Sequence, residues 1–228
     1  MAKGTVTRKQ LLKEPDQFIT FSGKLIAFGR SHLKTILIGA GVFLALIVAA
    51  AVVGQISNRN ESKASRMVEQ ALAKYSAALR DTDAKTAYDR VKDDFAEIFD
   101  GYGSKSAAKI ARIVYGDISY NAGDAETAIA MYTQAQEDLG DASSLKNIVL
   151  SGLGHAYLLK GSHADAIRCF ETLSRDGEVT MKSGALFNLA WLYDKAGEKE
   201  KSKASYEALL ADFPNTMYGD LVREKINS

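Results

Sequence analysis

Residues 185–214, ALFNLAWLYDKAGEKEKSKASYEALLADFP, decide how this chain folds. They read as two amphipathic helical segments hinged at Gly197, with apolar residues recurring at three- and four-residue steps on either side. A small residue, Ala190, stands seven positions before the hinge, another, Ser202, five after it, and Tyr206 four beyond that. The same arrangement occurs twice upstream, as Gly154, Gly161, Ala166 and Phe170 and as Gly116, Gly123, Ala128 and Tyr132. The hinge glycines are 38 and 36 residues apart, a period that marks stacked helical hairpins.

Each position has a steric reason. Small side chains where two antiparallel helices cross let the backbones approach until ridges enter grooves. Large residues fill the space alongside: Tyr115, Leu153 and Leu189 on the first helices, then Tyr132, Phe170 and Tyr206 on the second, with Leu173 and Leu209 near the end. Glycine ends each first helix because the chain there turns through the left-handed region, where a Cβ is costly. Residues and offsets together resemble the tetratricopeptide repeat, in three copies at about 109–142, 147–180 and 183–216. The third copy carries the late proline, Pro214, and the first has Ser119 where the others have Tyr157 and Tyr193.

Residues 55–105 read as an atypical opening hairpin. Met67, Val68, Ala71, Leu72, Tyr75 and Leu79 form one apolar face, and Tyr88, Val91, Phe95 and Ile98 a second, after a turn at 81–83. A closing helix at about 217–226 takes the place of a further first helix, and Asp220, Arg223, Glu224 and Lys225 suit a polar cap. The expected fold is all-α: a tetratricopeptide-repeat solenoid over 106–228, tethered by one N-terminal transmembrane helix.

That helix is residues 35–54, TILIGAGVFLALIVAAAVVG, twenty residues without a charge. At about 1.5 Å per residue they span the roughly 30 Å hydrocarbon core of a bilayer. The overall net charge of +1 hides a strong asymmetry. Residues 1–34 hold Lys3, Arg8, Lys9, Lys13, Lys24, Arg30 and Lys34 against Glu14 and Asp16, a net of +5, which leaves −4 for the remainder. Basic flanks stay in the cytoplasm, so the leader is expected inside and the repeats outside; in a bacterium the repeats are then periplasmic and the anchor lies in the inner membrane. Ala49, Ala50 and Ala51 offer a cleavage site for a signal peptide, but the leader is long and the apolar run exceeds the usual 7–15 residues, so a retained signal anchor is expected.

Gly41, Ala45 and Ala49 recur four apart, a stripe through which membrane helices can touch, although glycine and alanine are also simply common in such spans. Ahead of the span, Phe18, Phe21, Leu25 and Phe28 recur at helical spacing after Pro15 and Asp16. With Lys24 and Arg30 they suit either a helix along the inner membrane surface or one docked on a cytoplasmic partner.

Motifs of catalysis are missing: no phosphate loop, no paired cysteines, no His-Glu-x-x-His and no nucleophile elbow. No catalytic residue, cofactor, metal or small-molecule substrate is expected, and His155 with His163 lacks a third ligand. Cys169 is the single cysteine, so no internal disulfide forms, and beside Phe170 it reads as a packing residue. Basic residues beyond the leader are balanced by acids, which leaves no nucleic-acid footprint. The remaining candidate is the concave face lined by the first helices. Aligned on the glycines, it receives Ile113, Asp117, Tyr120 and Asn121; then Ser151, His155, Leu158 and Leu159; then Phe187, Trp191, Asp194 and Lys195. An aromatic and aliphatic wall with few cations suits apolar or extended polypeptide better than an acidic tail. The alternative is that Phe187 and Trp191 pack between repeats.

The basic, Phe-containing leader running through Phe28, His32 and Lys34 into one span, followed by repeats such as residues 185–214, resembles the ancillary subunit of the SecYEG translocon, a YfgM-like family. That resemblance implies a non-enzymatic module whose partners are translocon subunits, a periplasmic chaperone or isomerase, exported clients and, through the span, membrane lipid. A structural scaffold for a cell-envelope complex, in envelope biogenesis or cell division, is the alternative.

Overall fold

The computed structural model describes residues 17–140 and 145–227. Lys3, Arg8, Lys9, Lys13, Glu14, Pro15 and Asp16, and the side chain of Phe18, lie outside the described residues. Ten helices and no strand occur among those described: α1 (Gln17–Ser31), α2 (Leu33–Ala78), α3 (Ala84–Tyr102), α4 (Ser106–Asn121), α5 (Ala125–Leu139), α6 (Lys146–Lys160), α7 (His163–Asp176), α8 (Val179–Lys195), α9 (Lys199–Asp212) and α10 (Gly219–Asn227). The chain divides into two compact units, residues 1–58 and 59–228.

In the first unit, α1 gives way to α2 at His32 with the helical ladder intact on both sides. The His32 N–H donates to Phe28 O at 3.0 Å and the Ile36 N–H donates to His32 O at 2.9 Å. Leu37, Ile38, Val42, Phe43, Leu46 and Val53 are all exposed. By length and composition α2 is apolar enough to cross a membrane, and none of its most apolar stretch is buried within the protein. Gly41, Ala45 and Ala49 are exposed on this helix, and open space surrounds the position a Cβ on Gly41 would take.

The second unit is a run of antiparallel hairpins. Val91, Phe95 and Ile98 of α3 pack against Ala71 of α2 and against Ala108, Ala111, Tyr115 and Ile118 of α4. Asp83 starts α3 by accepting the Thr86 N–H at 2.7 Å. Leu79, expected on the apolar face of the preceding helix, is instead 43% exposed. Its N–H still donates to Tyr75 O at 3.0 Å, but the buried line of α2 runs through Ala64, Ala71 and Ala78, and Leu79 lies one residue, about 100° around the helix, beyond it. The first turn of α4 has no side-chain cap at its own N-cap residue. The Glu61 carboxylate supplies one from α2, accepting the N–H groups of Ser106 at 3.0 Å and Ala107 at 2.8 Å.

Hairpins α4–α5, α6–α7 and α8–α9 follow, each helix packed on the next, with the first helices α4, α6 and α8 also touching in order. Their turns are alike. Gly123, Gly161 and Gly197 have φ of 83°, 79° and 79°, and the next residue in each case donates its N–H to a carbonyl five residues back: Asp124 to Ser119, Ser162 to Tyr157 and Glu198 to Tyr193. Because these bonds are made by backbone, Ser119 serves the turn as well as the two tyrosines do.

The helix crossings depend on small residues meeting rings. A Cβ on Gly116 would lie 2.8 Å from the Tyr132 ring and one on Gly152 2.5 Å from the same ring, so Tyr132 is seated against two glycines on successive first helices. A Cβ on Gly154 would lie 2.7 Å from Phe170. The third crossing has Ala190 against Ser202, both buried, with the Ser202 hydroxyl donating to Ala190 O at 2.8 Å. At the far end α10 buries Val222 among Ala190, Tyr206 and Leu209, covering an apolar surface that a further repeat would otherwise take.

Candidate functional site

Two hollows adjoin on the face lined by the first helices. The first, about 210 Å³, is bounded by Asp117 and Tyr120 of α4, Tyr132 of α5, Ile148, Ser151, Gly152 and His155 of α6, and Met181 of α8. The second, about 350 Å³, shares Ser151, His155 and Met181 with it and extends over Phe170, Gly184, Phe187 and Asn188 to Met217 and Tyr218. Packing of α4 on α6 and of α6 on α8 sets these surfaces side by side.

Of the residues chosen from the sequence, Asp117, Tyr120, Ser151 and His155 come together in the first hollow, and Ser151, His155 and Phe187 in the second. Asp117 is fixed by the Tyr132 hydroxyl, which donates to its Oδ1. Burial and that carboxylate push the Tyr132 phenol up, so it stays protonated and remains a donor. The His155 ring lies 6.3 Å from Tyr120 and meets the edge of Phe170 at 5.3 Å. Burial lowers its pKa, so the imidazole is neutral at neutral pH.

Phe187 is half-buried, stacked on Tyr218 at 4.2 Å and edge-on to Tyr206 at 6.3 Å, yet it still walls the second hollow. It therefore packs and lines at once. Trp191 is 39% exposed, outside both hollows, with His163 at its edge and the Lys195 ammonium 5.8 Å from the ring centre. Leu158 packs against the core between α6, α7 and α8. Asp194 belongs to a separate hollow with Lys199, Lys203 and Lys225; its hydrogen bond from Lys199 holds the carboxyl below its ordinary value.

Ile113 departs from the sequence expectation. It is 6% exposed and packs with Ala128, Tyr132, Val149 and Leu153, so it supports the groove from beneath and does not line it. The offset it shares with Ser151 and Phe187 lies at the edge between core and concave face, where a branched aliphatic gains most by turning inward. Ile148, Met181, Met217 and Tyr218 were missed. Ile148 had a signal, since it precedes Gly154 by the same six residues that separate Ile110 from Gly116, and both isoleucines are exposed. Met217 and Tyr218 come from the loop before α10, whose path follows from the Phe187–Tyr218 stack and has no periodicity to read.

The ring contacts of His155 and His163 are to different aromatics, Phe170 and Trp191. Cys169 is buried, and its burial pushes the thiol up to about 11, so little nucleophilic thiolate is present at neutral pH.

The tetratricopeptide repeat family model matches residues 184–216, which cover most of α8 and all of α9. No curated protein matches the chain. Tetratricopeptide repeats serve as protein–protein interaction modules, and the matched hairpin supplies one wall of the second hollow.

Proposed function

We propose that this chain is a membrane-tethered, non-enzymatic module that holds extended polypeptide in its concave face outside the cytoplasm, as an ancillary component of a translocon or of the periplasmic chaperone network. The observation that carries this reading is the pair of adjoining hollows sharing Ser151, His155 and Met181, which together make a continuous open track running from α4 to α8, suited to an extended strand. Phe187, Met181 and Met217 supply adaptable apolar surface, as binding to varied sequences requires. Exposed apolar residues on α2 from Ile36 to Ile56 support the tether, and the basic excess of the leader supports an orientation with the repeats outside. The translocon assignment rests on the resemblance of leader, span and repeats.

A fixed structural scaffold is the second reading, favoured by the open surface at Gly41, Ala45 and Ala49, which suits a partner helix in the membrane. Photoreactive residues at Met181, which lines both hollows, and at Ala45 in the full chain in cells distinguish the two. Adducts to many newly exported proteins at Met181 support the holder, and one discrete adduct at Ala45 supports the scaffold. Silence at both positions removes the basis of each. Protease added to spheroplasts is expected to digest the repeats and spare the leader; a protected repeat domain overturns the orientation.

A further inference from the structure

The two hollows differ in charge, and the difference specifies what they accept. Among the described residues lining them, Asp117 bears the one carboxylate, and no lysine or arginine is present. The Tyr132 hydroxyl occupies Asp117 Oδ1 and leaves Oδ2 to a ligand, with the Tyr120 ring beside it. His155 borders both hollows and adds no positive charge at neutral pH, since burial lowers its pKa. The second hollow has no ionised group; Met181, Phe187 and Met217 give it apolar surface among the neutral polar groups Ser151, Thr180, Ser183 and Asn188, with Phe170 and Leu173 buried beneath.

Resting on the polypeptide-holding reading, we propose that the groove selects extended segments in which a basic side chain enters the first hollow opposite Asp117 and an apolar side chain a few residues away enters the second. Charge complementarity decides the first half. A lysine or arginine there gains a carboxylate partner and an aromatic face, whereas an acidic side chain meets Asp117 without a compensating cation. Geometry decides the second half. Asp117 is on α4 and the apolar wall of the second hollow on α8, two first-helix spacings of about 8–10 Å away, and an extended chain advances about 3.3 Å per residue, so the two features are matched by side chains about five or six residues apart, as Lys and Leu are in a Lys-Ser-Leu repeat. An acidic tail is therefore disfavoured in a stated place, not merely by a shortage of cations.

The test uses the full chain in nanodiscs of zwitterionic lipid, with empty discs as the blank, and fluorescent peptides repeating Lys-Ser-Leu, Glu-Ser-Leu or Lys-Ser-Ser. Two variants report on the two hollows. Asp117→Asn removes the charge, and Gly184→Trp fills the second hollow from a position where a Cβ meets open space, so the hairpin keeps its packing. Lys-Ser-Leu is expected to bind about tenfold or more tighter than either other peptide, with Asp117→Asn abolishing its preference over Glu-Ser-Leu and Gly184→Trp weakening it about tenfold. Equal binding of Lys-Ser-Leu and Glu-Ser-Leu, both lost in Gly184→Trp, overturns the charge selection and leaves the groove reading standing. Preference for Lys-Ser-Leu that ignores both variants places binding elsewhere and overturns the proposal. Absence of binding by all three peptides overturns both readings.

Discussion

The second and third repeats solve one crossing in two ways. In the second, Gly154 clears room for the Phe170 ring, which a Cβ would approach to 2.7 Å. In the third, Ala190 keeps its methyl group and the facing Ser202 donates a buried hydrogen bond to its carbonyl. The first repeat goes further along the route of the second, seating Tyr132 against both Gly116 and Gly152. Close approach of the helices is thus held by ring-on-glycine packing in two hairpins and by a hydrogen bond in the other. The family model matches the hairpin with the hydrogen bond, but all three share the left-handed glycine and the same turn bonds. What the hairpins have in common is therefore the clearance between helices, which several residue pairs can satisfy.

The largest expected consequence is steric. Gly154→Leu should destabilise the second unit by about 3 kcal/mol or more, because the ring of Phe170 is enclosed and cannot retreat. Unfolding of the full chain in nanodiscs, followed by the fluorescence of Trp191, the single tryptophan, checks this; an unchanged midpoint breaks the account of the crossing.

Next in size is a pH effect confined to the second repeat, where His155 packs on Phe170 while the matching position of the third is Trp191. A histidine whose folded pKa is lowered contributes nothing at high pH. It destabilises the fold progressively as pH falls below the unfolded value of 6.5, where the unfolded chain takes up the proton first, and the added loss ends at the lower folded value. Within that window the slope should reach at most about 1.4 kcal/mol per pH unit, and His155→Gln should flatten it. A slope that survives the substitution assigns the effect to another group.

Ser202→Ala should cost roughly 1 kcal/mol through the lost hydrogen bond to Ala190 O, measured by the same unfolding. No change would mean that the third crossing also rests on packing alone. The smallest effect sharpens the comparison. Gly154→Ala gains up to about 1 kcal/mol of helix propensity but clashes with Phe170, so alone it should be destabilising. Adding Phe170→Leu should relieve that clash and yield a coupling of about 0.5–1 kcal/mol or more in the double-mutant cycle; simple additivity would show that the two residues do not constrain each other.

The architecture was legible in the chain because its determinants are local and steric. A hinge glycine, a small residue at a fixed offset and a ring four residues beyond the next small residue all announce themselves along a line of sequence. The groove was legible in part. Asp117, Tyr120, Ser151 and His155 follow from counting back from the glycines, but counting cannot tell whether a side chain at the core's edge turns in, as Ile113 does, or out, as Ser151 does. The centre of a buried face was equally hard to place: in α2 it follows Ala64, Ala71 and Ala78, which misassigned Leu79. Tyr218 was beyond reach because its position is set by stacking on Phe187, a contact between distant parts of the chain. The Glu61 cap on α4 has the same character, joining residues 45 and 46 apart in sequence.

Whether the concave face is the binding surface is tested most directly by placing a photoreactive residue at Ser151, in both hollows, and in a second variant at Thr133, exposed on α5. Each full chain in nanodiscs is irradiated with reduced, carbamidomethylated ribonuclease A, a basic polypeptide held unfolded. Adducts from Ser151 and none from Thr133 are the predicted result; adducts from Thr133 alone, or equally from both, contradict it.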